Sequence, residues 1–402
     1  MFLRLTNTPR EYAWGSRTAI AEALGTTPTG KPEAELWLGT HPANPSSIVD
    51  GSAGGTTDLR QFLDAHPLPS GQTELPFLLK LLAAAQPLSL QAHPSKAQAV
   101  AGFAREEAAE VARDAPHRNY KDENHKPELI VAVSDRFEAL SGFRPVAESL
   151  SSLRALRDAG STAGLDVDAL IEFLAELESF TSESDALAWV LEWLLNDKQA
   201  HAVAIGVVRA AEIPDARLDE KDRDTIGRIN AVYGADPGVV LALFLHRVSL
   251  NRGEALYLPA GNLHAYLYGL GVELMAASDN VLRGGLTPKH IDVEELLNVV
   301  KTEALPAPLL EPVTVSKGVR LFRPDVPDFE LWHISSADFA EVELPGPSIL
   351  LNLGESAQLV GALSEMTLSR GDSVYIPAEE LPLSVSGEDI YIASGGSPRA
   401  AV

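Results

Sequence analysis

Leu88-Ser89-Leu90-Gln91-Ala92-His93 alternates apolar and polar residues, and in a strand the side chains of i and i+2 share a face. Ser89, Gln91 and His93 therefore point one way, with Leu88, Leu90 and Ala92 packed behind them. A polar stripe backed by buried residues faces a cavity. Two more segments place a polar residue at the mouth of an apolar run. Glu128 opens Leu129-Ile130-Val131-Ala132-Val133, and His264 follows Leu256-Tyr257-Leu258-Pro259-Ala260-Gly261-Asn262, a strand ending in a turn. Residues this far apart meet only if a β-barrel or sandwich brings them together. Two imidazoles, a carboxylate and a neutral amide suit a borderline cation such as zinc, with coordination left for water or a substrate oxygen. Gln91 is the weakest donor of the four.

Working outward, residues 1–145 read as short strands broken by Pro, Gly and Asn, with a polar helical patch around Ser95 to Arg113. From residue 146 the period changes. Val167-Asp168-Ala169-Leu170-Ile171-Glu172-Phe173-Leu174-Ala175-Glu176-Leu177 carries apolar residues at helical spacing, so residues 146–245 form a helical insertion. Strand signals then return, and the expected ligands flank the insertion. The sheet unit is thus discontinuous, comprising 1–145 and 246–315. An internal echo marks a third unit, 316–402: Leu250-Asn251-Arg252-Gly253-Glu254-Ala255-Leu256-Tyr257-Leu258-Pro259-Ala260 recurs as Leu368-Ser369-Arg370-Gly371-Asp372-Ser373-Val374-Tyr375-Ile376-Pro377-Ala378. Such a repeat suggests two copies of one supersecondary unit, and a turn glycine, a strand and a terminal proline suit a small jelly-roll barrel. The second copy has no histidine after Pro377, so its barrel is expected to be metal-free. The fold class that follows is mainly β with a helical insertion: two jelly-roll barrels plus an α-helical domain.

The bulk chemistry narrows the partners. A 402-residue chain that is 45% hydrophobic buries a sizeable core. Its net charge of −24 repels phosphate backbones and anionic lipid, which argues against nucleic acid and membrane partners, so a phosphorylated substrate needs a local basic pocket. The absence of cysteine excludes disulfides, thiolate ligands and cysteine nucleophiles. The N-terminal residues lack an apolar signal core and no later stretch is long enough to span a bilayer; a cytoplasmic location is expected.

Gln91-Ala92-His93-Pro94-Ser95-Lys96, His125-Lys126-Pro127-Glu128 and Tyr257-Leu258-Pro259-Ala260-Gly261-Asn262-Leu263-His264-Ala265-Tyr266, in this order, resemble the signatures of type I phosphomannose isomerase (mannose-6-phosphate isomerase), a cupin-superfamily enzyme. The resemblance extends through Glu35-Leu36-Trp37-Leu38-Gly39-Thr40-His41-Pro42, Leu75-Pro76-Phe77-Leu78-Leu79-Lys80 and Asp279-Asn280-Val281-Leu282-Arg283-Gly284-Gly285-Leu286-Thr287-Pro288-Lys289. It is weak only in the middle and last part. It implies one zinc per chain held by Gln91, His93, Glu128 and His264, and an active-site Arg283. It further implies a cupin form for both jelly-roll barrels, interconversion of mannose 6-phosphate and fructose 6-phosphate, a monomer, and a place in supplying GDP-mannose precursors or in mannose catabolism.

Other candidates come from local chemistry. Lys80 sits in an apolar run where a lone ammonium is costly without a partner or an anionic ligand. Thr287-Pro288 reads as a helix start, which would set Lys289 beside the glycine-flanked Arg283 as an anion seat. Lys126 shares strand parity with Glu128 and should face the metal side; His125 has the opposite parity, and both are acid–base candidates. Asp279 is placed with the catalytic groups, and Glu273 and Ser89 with the substrate-binding ones. Trp37 and His41 read as structural. Two other classes remain: a cupin oxygenase binding iron through two histidines and a carboxylate, and a non-catalytic sugar-phosphate-binding cupin.

Overall fold

The computed structural model describes residues 1–49 and 55–396; residues 397–402 of the expected C-terminal unit lie outside them. The chain is mainly β, with antiparallel strands in three sheets and a block of helices. A nine-stranded sheet is organised on the strand His264–Ala276, which changes partners along its length. Its first residues pair with Leu90–Ala92 and Arg136–Phe143, and residues 269–276 pair with Phe77–Ala84 and Glu128–Ala132. The change falls at Gly269, whose φ of +121° is open to glycine and whose missing Cβ would lie 2.8 Å from Phe137 Cα. This bend curls the sheet around an interior filled by Phe137, Val248, Leu256, Leu258 and Tyr266.

Between Arg136–Phe143 and Leu245–Asn251 the chain makes six helices, running from Val146–Thr162 to Gly238–Ala242. Helix Asp168–Leu177 shows why: Leu170, Phe173, Leu174 and Leu177 are buried at i, i+3, i+4 and i+7. The block packs on the backs of Leu90–Ala92 and the first part of the long strand, where Leu90, Ala92, Ala265 and Leu267 share its core. Two ion pairs lock it to the sheet, Arg144–Asp222 at 3.0 Å and Arg247–Asp224 at 2.8 Å. Lys96–Ala108 is a separate helix capped reciprocally by Ser95 and Gln98.

The C-terminal strands form an eight-stranded and a four-stranded sheet enclosing Val319, Trp332, Leu350, Leu359 and Ile392. A second core, with Leu79, Leu81, Val272, Phe322, Ile349 and Tyr391, joins the eight-stranded sheet to the nine-stranded one. Two boundaries differ from expectation. Strand Leu3–Thr6 pairs with Ser373–Ile376, so the first strand of the 1–145 segment lies in the C-terminal sheet; Leu3 and Leu5 are buried in the joining core. Likewise Val313–Ser316 pairs with Val319–Phe322, ahead of residue 316. A period-2 pattern fixes which face of a strand is buried and leaves its partner open. The sequence repeat has matching geometry: strands before and after Gly253, at φ +81°, and strands before and after Gly371, at φ +84°.

Candidate metal centre and active site

Three strands place the central ligands. His264 opens the long strand, Glu128 opens Glu128–Ala132, and His93 follows Leu90–Ala92. All three side chains are buried. His93 Nε2 lies 3.3 Å from Glu128 Oε1, and His264 Nε2 lies 3.4 Å from Glu128 Oε2. Each imidazole donates its Nδ1–H to a backbone carbonyl, His93 to Asn280 at 2.8 Å and His264 to Asn262 at 3.0 Å. This fixes the tautomer and leaves a lone pair on each Nε2, and neither Nε2 has a hydrogen-bond partner. Burial pushes the His93 imidazole down to about 4 against the pull of Glu128, so it is neutral at pH 7. Burial opposes the Glu128 charge, but Lys126 and the two imidazoles outweigh it and hold the carboxyl well below its usual range. Donors about 2.0–2.1 Å from a tetrahedral zinc stand roughly 3.4 Å apart, the spacing seen around Glu128. The residues present fit a zinc ion. Among the described residues this is the one group of three or more His, Asp and Glu side chains close enough to share a metal.

Gln91 lies directly across from His264 on one side and from Arg283 on the other. Gln91, Glu128 and Arg283 all line a cavity of about 770 Å³, together with Ser89, Lys80, Lys126, Glu273, Asp279 and Lys289. His93 and His264, buried against Glu128, are not among its lining residues. Lys126 Nζ is 3.2 Å from Glu128 Oε1, on the metal side as strand parity predicts. His125 turns away from the cavity; its Nε2 meets Asp328 Oδ2 at 2.8 Å.

Lys80 has the partners its burial demands. Its Nζ lies 2.9 Å from Glu273 and 3.4 Å from Glu35, and 5.5 Å from the centre of the Trp37 ring. Burial pushes this ammonium down, yet Glu273, Glu35 and Glu128 together drive it well above its ordinary value. The Glu273 carboxyl is raised by burial and by Glu128 and Glu35, against Lys80. Arg283 differs: among the described residues its guanidinium has no hydrogen-bond or ion-pair partner, and burial alone pushes it down. Burial and the nearby Arg283 and Lys121 lower Lys289, so three cations gather here, with Asp279 near Lys121.

Several features were missed or misread. No helix begins at Thr287-Pro288: Thr287 Oγ1 accepts from Lys289 N and closes a turn, while Asp292 caps the helix Val293–Val299. The cations therefore gather without a helix N-terminus. Trp37 and His41 line the cavity, as do Glu35, Lys121, Tyr233 and Tyr266. His41 Nε2 meets Asp279 Oδ1 at 3.2 Å and holds that carboxyl below its usual range. Glu35 and Trp37 could have been found, since they share strand parity as Gln91 and Ser89 do.

Comparison with known proteins agrees with this geometry. Residues 2–146 match the catalytic-domain model of type I phosphomannose isomerase. The mannose-6-phosphate isomerase of Escherichia coli K12 is 38% identical over 398 residues, covering 96% of this chain and 97% of that protein. The chain belongs to the type I phosphomannose isomerase family. Mannose-6-phosphate isomerase 1 of Arabidopsis thaliana, another relative, is 30% identical over 98% of this chain and 93% of its own length. A crystal structure described as mannose 6-phosphate isomerase in a holo, zinc-bound form superposes with a TM-score of 0.86 at 35% identity, covering 98% of this chain and 100% of that one. No helix among the described residues is long and apolar enough to cross a membrane.

Proposed function

We propose that this chain is a zinc-dependent aldose–ketose isomerase interconverting mannose 6-phosphate and fructose 6-phosphate. The observation that carries this reading is the pair of orphaned, buried Nε2 atoms on either side of Glu128, beside a cavity edged by the unpaired cations Arg283, Lys289 and Lys121. The relatives are named for the mannose 6-phosphate reaction, and one of the similar structures is described as zinc-bound. Gln91, His93, Glu128 and His264 would hold the ion, which when bound supplies Lewis-acid polarisation of sugar oxygens.

The chain's own groups do the rest. An isomerisation of this class takes a proton from one carbon and returns one to its neighbour. Lys126, beside Glu128, and the Lys80–Glu273 pair on the neighbouring strands of the same sheet border the space in which that transfer would occur. Arg283 presents an uncompensated positive charge to the negative charge that develops on the sugar oxygens. Lys289 and Lys121 at the rim take the phosphate, supplying the basic pocket that an overall acidic surface requires. Asp279, held charged by His41, sets a negative limit on that patch.

The same reading makes the curled catalytic sheet and the C-terminal pair of sheets two cupin jelly rolls, only the first of them metallated, with one zinc per chain in a cytoplasmic monomer. In its support, both ring nitrogens of His333 are taken by Arg320 and Asp389. A coupled assay tests the function. Fructose 6-phosphate should form from mannose 6-phosphate with zinc-loaded protein, stop on chelation and resume on adding zinc. Protein that binds zinc one-to-one and turns over neither sugar phosphate overturns the proposal.

A further inference from the structure

Asn280 is fully buried and touches neither the cavity nor the ligand carboxylate, yet it is bonded to both halves of the site. Its backbone carbonyl accepts the Nδ1–H of His93 at 2.8 Å. Its side-chain Oδ1 accepts the backbone N–H groups of Lys121 at 2.7 Å and Asp122 at 3.3 Å. Its Nδ2 donates to the carbonyls of Asp122 and Asn124, each at 2.8 Å. A second strut runs parallel, from Ser278 Oγ to Asp122 Oδ1 at 2.8 Å. The segment so held, residues 121–124, begins with Lys121 at the cavity rim and leads two residues past its end into the metal-side Lys126-Pro127-Glu128.

A buried amide with every polar atom paired is rigid, because moving it strands donors and acceptors away from water. The group that orients a ligand imidazole through its far nitrogen is worth roughly 10–100-fold in metal affinity. We infer that Asn280 is a positioning residue that ties the aim of His93, through its backbone carbonyl, to the placement of Lys121, through its side chain, so that the metal site and the anion seat at the rim are set by one residue. This rests on the metal and phosphate assignments above and adds a coupling between them. Since coupling between two ligands is reciprocal, inorganic phosphate should bind more tightly to the metal-loaded protein than to the apo protein. The part of that gain carried by Asn280 should vanish when its side chain is removed.

The test compares wild type, Asn280→Ala and Lys121→Ala as full-length chains, using Co2+ with a competing chelator and inorganic phosphate by calorimetry. Asn280→Ala keeps the carbonyl that accepts from His93 but frees it from the bonds that hold it, so the expected result is a loss in Co2+ affinity of up to roughly 10-fold, the lower end of what losing the partner itself costs, a changed visible spectrum of the bound cobalt, and weakened phosphate binding. Lys121→Ala should weaken phosphate alone, with cobalt affinity and spectrum unchanged. Should Asn280→Ala not fold, Asn280→Asp carries the same measurements: it keeps Oδ1, loses both Nδ2 donors, and is expected to move both affinities in the same direction. A lower melting temperature with unchanged cobalt affinity, spectrum and phosphate binding overturns the inference and makes Asn280 a packing residue. Wild-type protein that binds neither Co2+ one-to-one nor phosphate overturns the site assignment on which it rests.

Discussion

Set side by side, the two copies of the repeat are alike in backbone and unlike in chemistry. Gly253 and Gly371 have nearly the same left-handed φ, each lies in the turn between two strands that pair with other partners, and each second strand runs to a proline. Five residues beyond Pro259 the next strand opens with His264; five beyond Pro377 stands Pro382, and the next strand opens at Leu383. The scaffold delivers a residue to the same place twice, and only one delivery is a ligand. The shared strand–turn–strand scaffold is therefore not sufficient for the candidate metal centre. What makes the first copy a site is His264 together with the orienting carbonyl of Asn262, Glu128 across the sheet, and His93 beyond it.

The largest effect should come from removing the one residue on which the contrast turns. His264→Ala is expected to lower zinc affinity by at least about 100-fold, the upper end of what losing even an outer-shell partner costs, and to abolish isomerisation, whereas His333→Ala should leave zinc content near one per chain. Elemental analysis of the folded proteins decides it; metal retained by the first variant or lost by the second breaks the contrast. Next, Arg283→Ala separates chemistry from scaffold. A fixed cation meeting charge that develops in the transition state is worth roughly 3 kcal/mol, or about a hundredfold in kcat, and zinc content and Tm should stay near wild type. A rise in KM alone would make Arg283 a uniform binding group.

A third prediction concerns the nine-stranded sheet. Glu138 is buried against Arg247 at 2.7 Å; burial opposes its charge, but Arg247, Arg136 and Ser249 outweigh it and depress the carboxyl. A depressed carboxylate contributes stability that is full above the unfolded value of about 4.3 and disappears as pH falls through the lower folded value. Glu138→Gln should cost roughly 3 kcal/mol at pH 7, with the gap in Tm closing as the pH drops below about 4. A gap that persists unchanged at pH 3 contradicts the electrostatic account.

The smallest effect compares the two glycines themselves. A left-handed φ costs a non-glycine residue about 1–2 kcal/mol. At Gly371 a Cβ would also lie 2.5 Å from the Leu24 carbonyl oxygen, whereas at Gly253 it meets the mobile end of Arg320 at 2.8 Å. Thermal melts should therefore rank Gly371→Ala as the more destabilising of the two, with kcat unchanged in both. The reverse order would mean that Arg320 is held more rigidly than the backbone near Leu24.

What was legible in the sequence was local. Gln91, His93, Glu128 and His264 each carry their strand context with them, and the cap of Lys96–Ala108 is written in Ser95 and Gln98. The helical block shows its period in four residues of a single helix. Asn280 and Lys121 could not be read, because their partners lie more than 150 residues apart and no spacing encodes a carbonyl aimed at an imidazole. Thr287-Pro288 misled for the opposite reason. Its local chemistry is that of a helix start, but the Thr287 hydroxyl closes a turn of its own, and the apolar pair that anchors a helix, Leu296 and Val299, lies a turn too far along, within reach of Asp292.

The first strand has one more consequence. Leu3 lies opposite Tyr375, so neighbours in the eight-stranded sheet are separated by about 370 residues. A ribosome makes Leu3–Thr6 long before Ser373–Ile376. Closing a contact of that sequence separation carries a large entropic cost and belongs to the slow class of folding events. Until Ser373–Ile376 is made, the edge of Leu3–Thr6 away from Ser47–Ile48 has no partner, an invitation to the wrong one. The order in which the chain is made and the order in which its sheets can close run in opposite directions.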